Sequence, residues 1–395
     1  MKKALIMCLD RINASPRNDR FLSFFSQKGF VVDSLSYKTN VELAVRKEFT
    51  IPVTNFPFNH KWMRSITRTL PSLLILLCEK LKKLPVWLND RHYNCTGHES
   101  VLKREDYGII LVGNLQLLPL ALRIRNNGII IFDACEYYTR QFSESLYFKL
   151  FEYPMRNYLC NEFLTKCNQV ITVSDGLRDM YLKEFKIKTT VLRNTPAKYK
   201  VREKAISENK IRLVHHGVVN KNRNLENLIA IAKGLGKRFT LDLYLVGSER
   251  YIERLKALAV DCDRIKFKHP VLLEDLVPTL NNYDIGLIFY DSEVFNVRHC
   301  LPNKLFEYIQ ARIAVAISPS PDMSDLIYKY KCGFVSEEFT VESMIKTLDH
   351  LTPAMINLKK VASHKAADSL CWEKESGKLE LSSLKISSCR RSSRS

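Results

Sequence analysis

The sequence predicts an α/β protein of two domains, each built on a doubly wound parallel sheet. Three observations lead there. Apolar runs of strand length alternate with helix-length segments through most of the 395 residues. Six strand–helix repeats crowd into the second half, as a sheet covered by helices on both faces requires. The length also exceeds what one hydrophobic core usually fills.

Taken in order, Ala4–Leu9 is the first apolar run. The opening MKKALIMCLDRIN has the basic start of a secretory leader, but charge returns at Asp10 and Arg11, so it reads as a buried strand. A polar loop from Asp10 to Pro16 leads to a helical segment over Arg17–Lys28, stopped by Gly29, and Val31–Tyr37 forms the next strand. In the second half, strands are predicted at Ile211–His215, Leu241–Val246, Ile265–His269, Asp284–Tyr290, Ala314–Ser318 and Gly333–Ser336. Helical patterns fill most gaps, among them Leu225–Leu235 and Leu272–Tyr283. The boundaries follow: a first domain over 1–196, a charged linker at 197–210, a second domain over 211–350, a helix within 351–381 and a tail at 382–395. Seven serines and three arginines among the last fourteen residues give that tail the composition of a disordered segment.

Lysine and arginine total 61 against 42 acids, a formal charge of +19, which suits an anionic partner: a nucleotide-like ligand, an acidic membrane face or nucleic acid. The positive charge is spread along the chain and no nucleic-acid-reading motif occurs, so nucleic acid is not expected. Eleven cysteines, an odd number with no CxxC pair and no His/Cys cluster at metal spacing, argue for reduced thiols in a cytoplasmic protein. Between His60 and His92, Trp62, Trp87 and the run Leu73–Cys78 accompany seven basic residues and two acids. That segment reads either as a basic amphipathic element on an anionic inner membrane face or as a helix packed on its own domain; six apolar residues are too few to span a bilayer.

Ligands of open parallel sheets sit outside the carboxyl ends of the strands, at helix N-termini. Two loops answer that description. In one, His216 to Asn224, Gly217 permits close backbone approach and Lys221 and Arg223 bring charge to a helix start. The other opens the stretch LPNKLFEYIQARIAVAISP, where Asn303 suits a helix cap, Lys304 follows it and Glu307 lies one turn on. Lys304 and Glu307 read either as an ion pair on a surface helix or as the two sides of a phosphate-and-hydroxyl site. Two cationic helix starts in one cleft suit a diphosphate.

From His215 to Val335 the chain resembles the nucleotide-sugar domain of glycosyltransferase family 4, on the GVVNKNRNLENLI loop, the Val246-Gly247-Ser248 strand end and above all PNKLFEYIQARIAVAIS. Further landmarks are similar in the first half: NASPRNDR, FDACEYYTRQF, VITVSDGL and VLRNTP, with Trp372 near the end. The resemblance implies a GT-B fold of two facing Rossmann-like domains. It also implies a C-terminal helix returning to the first domain and metal-independent transfer of a sugar with retention of configuration.

Carried over, it places Arg223 and Lys304 on the donor diphosphate. Gly217, Lys221, Asn222, Gly247, Asn303 and Leu305 line the donor site, and Glu307 takes the donor ribose hydroxyls. Cys135 and Glu136, in the acceptor-side domain, join Arg223 and Lys304 as the catalytic residues the resemblance implies. The acceptor implied is a glycan or a lipid-linked sugar of cell-surface polysaccharide synthesis, and no cofactor or metal is expected. Two positions depart from the pattern. His299, a further donor-binding candidate, stands eight residues before Glu307, where the family has a glutamate that contacts the sugar. Either the donor differs or His299 takes the glutamate's place as a hydrogen-bond partner. Cys135 stands where a histidine is usual. The alternatives are a catalytically impaired relative that binds a nucleotide sugar or a partner, and a sugar-nucleotide epimerase. Asp261-Cys262-Asp263 has the spacing of a metal-binding DxD but precedes a strand, as a helix end would.

Overall fold

The computed structural model describes residues 2–39, 44–52, 83–142, 145–206, 210–220, 223–290, 294–379 and 381. The first strand, β1 (Lys2–Arg11), is buried from Ala4 through Cys8 on both of its faces. A strand of that kind belongs at the centre of a covered parallel sheet. β2 (Phe30–Tyr37) and β4 (Ile109–Val112) flank it, and β3 (Lys47–Ile51), β5 (Ile129–Ala134), β6 (Gln169–Thr172) and β7 (Thr190–Val191) complete seven strands in the order β3-β2-β1-β4-β5-β6-β7. The pairings from β3 through β6 are parallel. The helix Pro16–Gln27 starts where Ser15 Oγ accepts the Arg17 amide and Pro16 presets the first turn.

In the second unit β8 (Ile211–Val218), β9 (Phe239–Val246), β10 (Ile265–Lys268), β11 (Ile285–Ile288), β12 (Ala314–Ile317) and β13 (Gly333–Val335) form a parallel sheet in the order β10-β9-β8-β11-β12-β13. This is the doubly wound order, and it reverses between β8 and β11, the place where such sheets bind ligands. Alternate residues feed two cores: Ile285, Leu287, Ala314 and Ala316 on one face, Ile288, Val315 and Ile317 on the other. The helix Asn303–Gln310 approaches the second face closely, because a Cβ on Gly286 would sit 2.2 Å from the Tyr308 ring. Tyr308 also donates to the Val214 carbonyl. Close packing of the helix body holds its first turn at the carboxyl ends of β8 and β11.

The first unit holds the described residues up to Thr172, then Tyr181–Thr190 and those from Ser376 on; the second holds Val173–Met180 and Val191–Glu375. The boundary expected at residue 196 thus falls at Thr190, and the chain rejoins the first unit at Ser376, where Gln169 donates to the Lys378 carbonyl. The described part of the expected linker is bound along the second unit instead of hanging free. Its Tyr199 amide donates to Gln310 Oε1, Arg312 donates to the Tyr199 carbonyl, and the Ile206 amide donates to Asn357 Oδ1. Backbone groups satisfied by buried side chains fix a segment whose composition carries no periodicity. The tail at 382–395 and residues 60–82 of the basic segment lie outside the described residues; within that segment Lys83–His92 is helical. No described helix is long and apolar enough to cross a membrane.

Candidate functional site

β8 ends in the run His215-His216-Gly217-Val218. His215 Nδ1 lies 2.8 Å from the Leu287 carbonyl, an acceptor only, so that nitrogen carries the proton and Nε2 is left as an acceptor. Lys304 Nζ donates to that Nε2 at 3.0 Å. The lysine is buried, and among the described residues no carboxylate lies within ion-pair distance of it. Burial first, and the Arg223 charge second, lower its pKa to about 7. Gly217 has φ +131°, and a Cβ there would stand 3.3 Å from Lys304 Nζ. Glycine keeps both the backbone conformation and the room for the ammonium.

Arg223 sits with its guanidinium carbon 5.4 Å from the centre of the Tyr290 ring. The Tyr290 hydroxyl beneath it and Asn303 Oδ1 are buried without a hydrogen-bond partner. Asn303 is not the cap the sequence led us to expect: Pro302 occupies that position, no side chain caps the helix, and Asn303 is the first helical residue. Glu307 is buried near Lys304, whose pKa its charge raises. Its Oε2 is 3.2 Å from His216 Nε2, without hydrogen-bond alignment. Burial, then Lys304, bring the His216 pKa down to about 3, so the imidazole is neutral and the contact is not an ion pair.

The other sequence candidates are placed as follows. Gly247, at φ +130°, ends β9 with Val219 packed 2.9 Å from where a Cβ would lie. The Leu305 side chain is in the core, and its amide donates to the Pro302 carbonyl. Lys221 and Asn222 lie outside the described residues. His299 directs Nδ1 at Asp322 Oδ2, 2.7 Å away. Asp261 follows the helix Glu249–Ala259 and pairs with Lys233. Sequence reasoning missed His215, Tyr290 and Asp322. The double histidine closing an apolar strand was a visible signal; the other two carried none.

In the first unit, the end of β5 carries a second cluster. Asp133 is buried in a two-point pair with Arg17, at 2.7 and 2.8 Å. Cys135 lies two residues on, and burial, reinforced by the Asp133 carboxylate, pushes its thiol well above the usual range. The Glu136 carboxyl is also raised by burial, against the pull of Arg156, and its Oε2 has no hydrogen-bond partner. The Tyr181 hydroxyl donates to the Glu136 carbonyl at 2.8 Å, tying the loop to the helix Asp175–Phe185.

No family model matches the chain. It is 25% identical over 288 residues to an uncharacterized glycosyltransferase of Haemophilus influenzae, covering 69% of this chain and 74% of that protein. Sucrose-phosphate synthase from Thermosynechococcus elongatus superposes with a TM-score of 0.67 at 14% identity, over 97% of this chain and 98% of that one. Anabaena HepE, solved with UDP and glucose, superposes with a TM-score of 0.65 at 13% identity, over 97% and 100%. The fold, two parallel-sheet α/β units of seven and six strands, is the one found in GT-B glycosyltransferases.

Proposed function

We propose that the chain is a glycosyltransferase that moves a sugar from a nucleoside-diphosphate sugar, with retention of configuration, to a glycan or lipid-linked acceptor. One observation carries the reading. Among the described residues, a buried ammonium at the strand ends of the second unit hydrogen-bonds only to an imidazole, and the repulsion of a neighbouring guanidinium outweighs the attraction of Glu307. Such an arrangement is unfavourable until an anion enters. A diphosphate supplies that anion at the start of a helix, where the backbone dipole also favours negative charge.

The chemistry follows from the same groups. Lys304 and Arg223 hold the diphosphate and stabilise the charge that grows on it as the bond to the sugar breaks, without a metal ion. Glu307 accepts hydrogen bonds from the ribose hydroxyls. Cys135 and Glu136 serve the acceptor side of the first unit, and the protein works in the cytoplasm, its cationic surface drawn to an anionic membrane. Kinship supports the donor class: the Haemophilus relative is named as a glycosyltransferase and HepE was solved with UDP and glucose.

The test is calorimetric titration with UDP, GDP and their sugar conjugates, followed by incubation and analysis of the anomeric configuration of the product. Transfer or slow hydrolysis of one donor is expected, unaffected by a chelator. Binding without turnover indicates a non-catalytic relative, an isomerised sugar indicates an epimerase, and no binding by any member of the panel refutes the reading.

A further inference from the structure

Arg223 stands two residues ahead of the N-cap of the helix Glu226–Gly234, and the cap residue itself, Leu225, has no side-chain acceptor to offer. Between them Asn224 takes φ +43°, in the left-handed region that few non-glycine residues occupy. The chain thus turns sharply just behind the guanidinium. A neighbouring helix, Glu249–Ala259, holds that turn. Its Tyr251 is buried in the same core cluster as Leu225 and Leu228, and its amide donates to the Ser248 carbonyl at 3.0 Å. The Tyr251 hydroxyl donates to Glu226 Oε2 at 2.6 Å, and the Leu225 backbone amide reaches the same hydroxyl. The other Glu226 oxygen faces Arg254 at 3.5 Å. Glu226 is the first residue of its helix, so a hold on its carboxylate is a hold on the helix start.

We propose that Tyr251 is a positioning residue for the donor site. Through Glu226 it fixes the start of that helix and so keeps the Arg223 guanidinium over the Tyr290 ring, where a diphosphate meets it. The inference rests on the nucleotide-sugar reading above and adds to it two residues that act only through Arg223. An arginine side chain has many rotamers, and ordering it together with its loop on binding costs affinity that a pre-set loop keeps. Lys304 needs no such hold, because Leu305, Phe306, Tyr308 and Ile309 pack its helix into the core. Arg223 lies in a loop, so its placement depends on what stands behind it.

Calorimetric titration of the full chain with UDP and GDP tests this as a double-mutant cycle. Tyr251→Phe keeps the ring in the core and deletes only the hydroxyl. With Arg223 present it is expected to weaken binding of the preferred nucleotide about three- to tenfold, the worth of one hydrogen bond. In the Arg223→Ala background the same change should cost nothing, because no guanidinium is left to place. Glu226→Ala should behave as Tyr251→Phe does. Glu226→Gln, which still offers an oxygen to the hydroxyl, should keep the native affinity. Melting temperatures check that each variant is folded. Unchanged binding in Tyr251→Phe overturns the proposal, and so does an equal loss in both backgrounds, which marks a general structural role. Native affinity in Arg223→Ala, or no binding of either nucleotide by the wild type, is a separate result. It removes the diphosphate reading and this inference with it.

Discussion

Lys304 Nζ and His215 Nε2 meet at 3.0 Å, so a lysine that should be a cation is bonded, in the interior, to a neutral ring. The His215 pKa is held well below its ordinary value by burial, then by Lys304, so the ring does not take the proton over. Burial, and then the Arg223 charge, outweigh the attraction of Glu307, which explains a lysine pKa near neutrality.

A first prediction is a pH dependence of donor binding. A bound diphosphate raises the Lys304 pKa, so above about pH 7 binding takes up a proton and weakens as pH rises, by up to about tenfold per pH unit. UDP-glucose is the suitable probe, because its diphosphate diester does not titrate in that range. Calorimetry in two buffers of different ionisation enthalpy should show proton uptake approaching one per site above pH 7 and little below it. Binding independent of pH, with no uptake, would mean that the ammonium does not meet the phosphate.

Turnover should depend on both cations. Arg223→Ala or Lys304→Ala is expected to lower kcat by on the order of 100-fold or more, as loss of a preorganised charge-stabilising donor does. Glu307→Ala should act mainly on nucleotide affinity. Near-native turnover in both cation variants would move the site elsewhere.

Much of this was legible in the sequence, and the limits have physical causes. β11 and β12 could be found because each is a short apolar run buried on both faces, β9 because its apolar residues alternate with half-buried ones, and Lys304 because Pro302 and the following amphipathic turn mark a helix start. β3, with a polar, half-exposed pattern at the sheet edge, had no such signature. The His215–Lys304 and His299–Asp322 contacts join residues 89 and 23 positions apart, and only the packing of helix on sheet brings them together. The path of residues 197–206 was not legible because it is fixed by side chains of other elements, Gln310, Arg312 and Asn357, and not by its own pattern.

Lys304 should also be a burden on the empty protein. Its folded pKa is below the ordinary lysine value of about 10.4, so the unfolded chain holds more protons between pH 7 and that value. Stability from this group therefore rises with pH across that window. Lys304→Met removes the buried charge, and at pH 7 it should raise the melting temperature by about 3 °C or more while lowering turnover as Lys304→Ala does. The gain should shrink towards pH 10. A lower melting temperature at pH 7 would show that the lysine is well solvated.

The Arg17–Asp133 pair predicts the opposite behaviour. Both side chains are buried and each satisfies the other at two points. Arg17→Ala leaves a carboxylate without a counter-ion in the first unit and should destabilise it by about 3–5 kcal/mol. Denaturant titration would detect that as a lowered midpoint. A loss below about 1 kcal/mol would show that water replaces the guanidinium.

Cys135 is the residue whose chemistry the fold restricts most. Burial raises its thiol pKa well above the ordinary value, and the Asp133 carboxylate works in the same direction, while the pull of Arg17 opposes it without reversing it. The thiolate is the nucleophilic form of cysteine, so at neutral pH this side chain is a weak hydrogen-bond donor and nothing more reactive. Turnover, if the donor diphosphate is held by Lys304 and Arg223, does not then pass through the sulfur. Cys135→Ala should lower kcat only about three- to tenfold, the worth of one hydrogen bond. Iodoacetamide at neutral pH should label Cys135 far more slowly than a free peptide cysteine, as peptide mass mapping can measure. Rapid labelling at Cys135, or loss of turnover beyond about a thousandfold in Cys135→Ala with an unchanged melting temperature, would place a thiolate in the reaction and contradict the electrostatics of the β5 end.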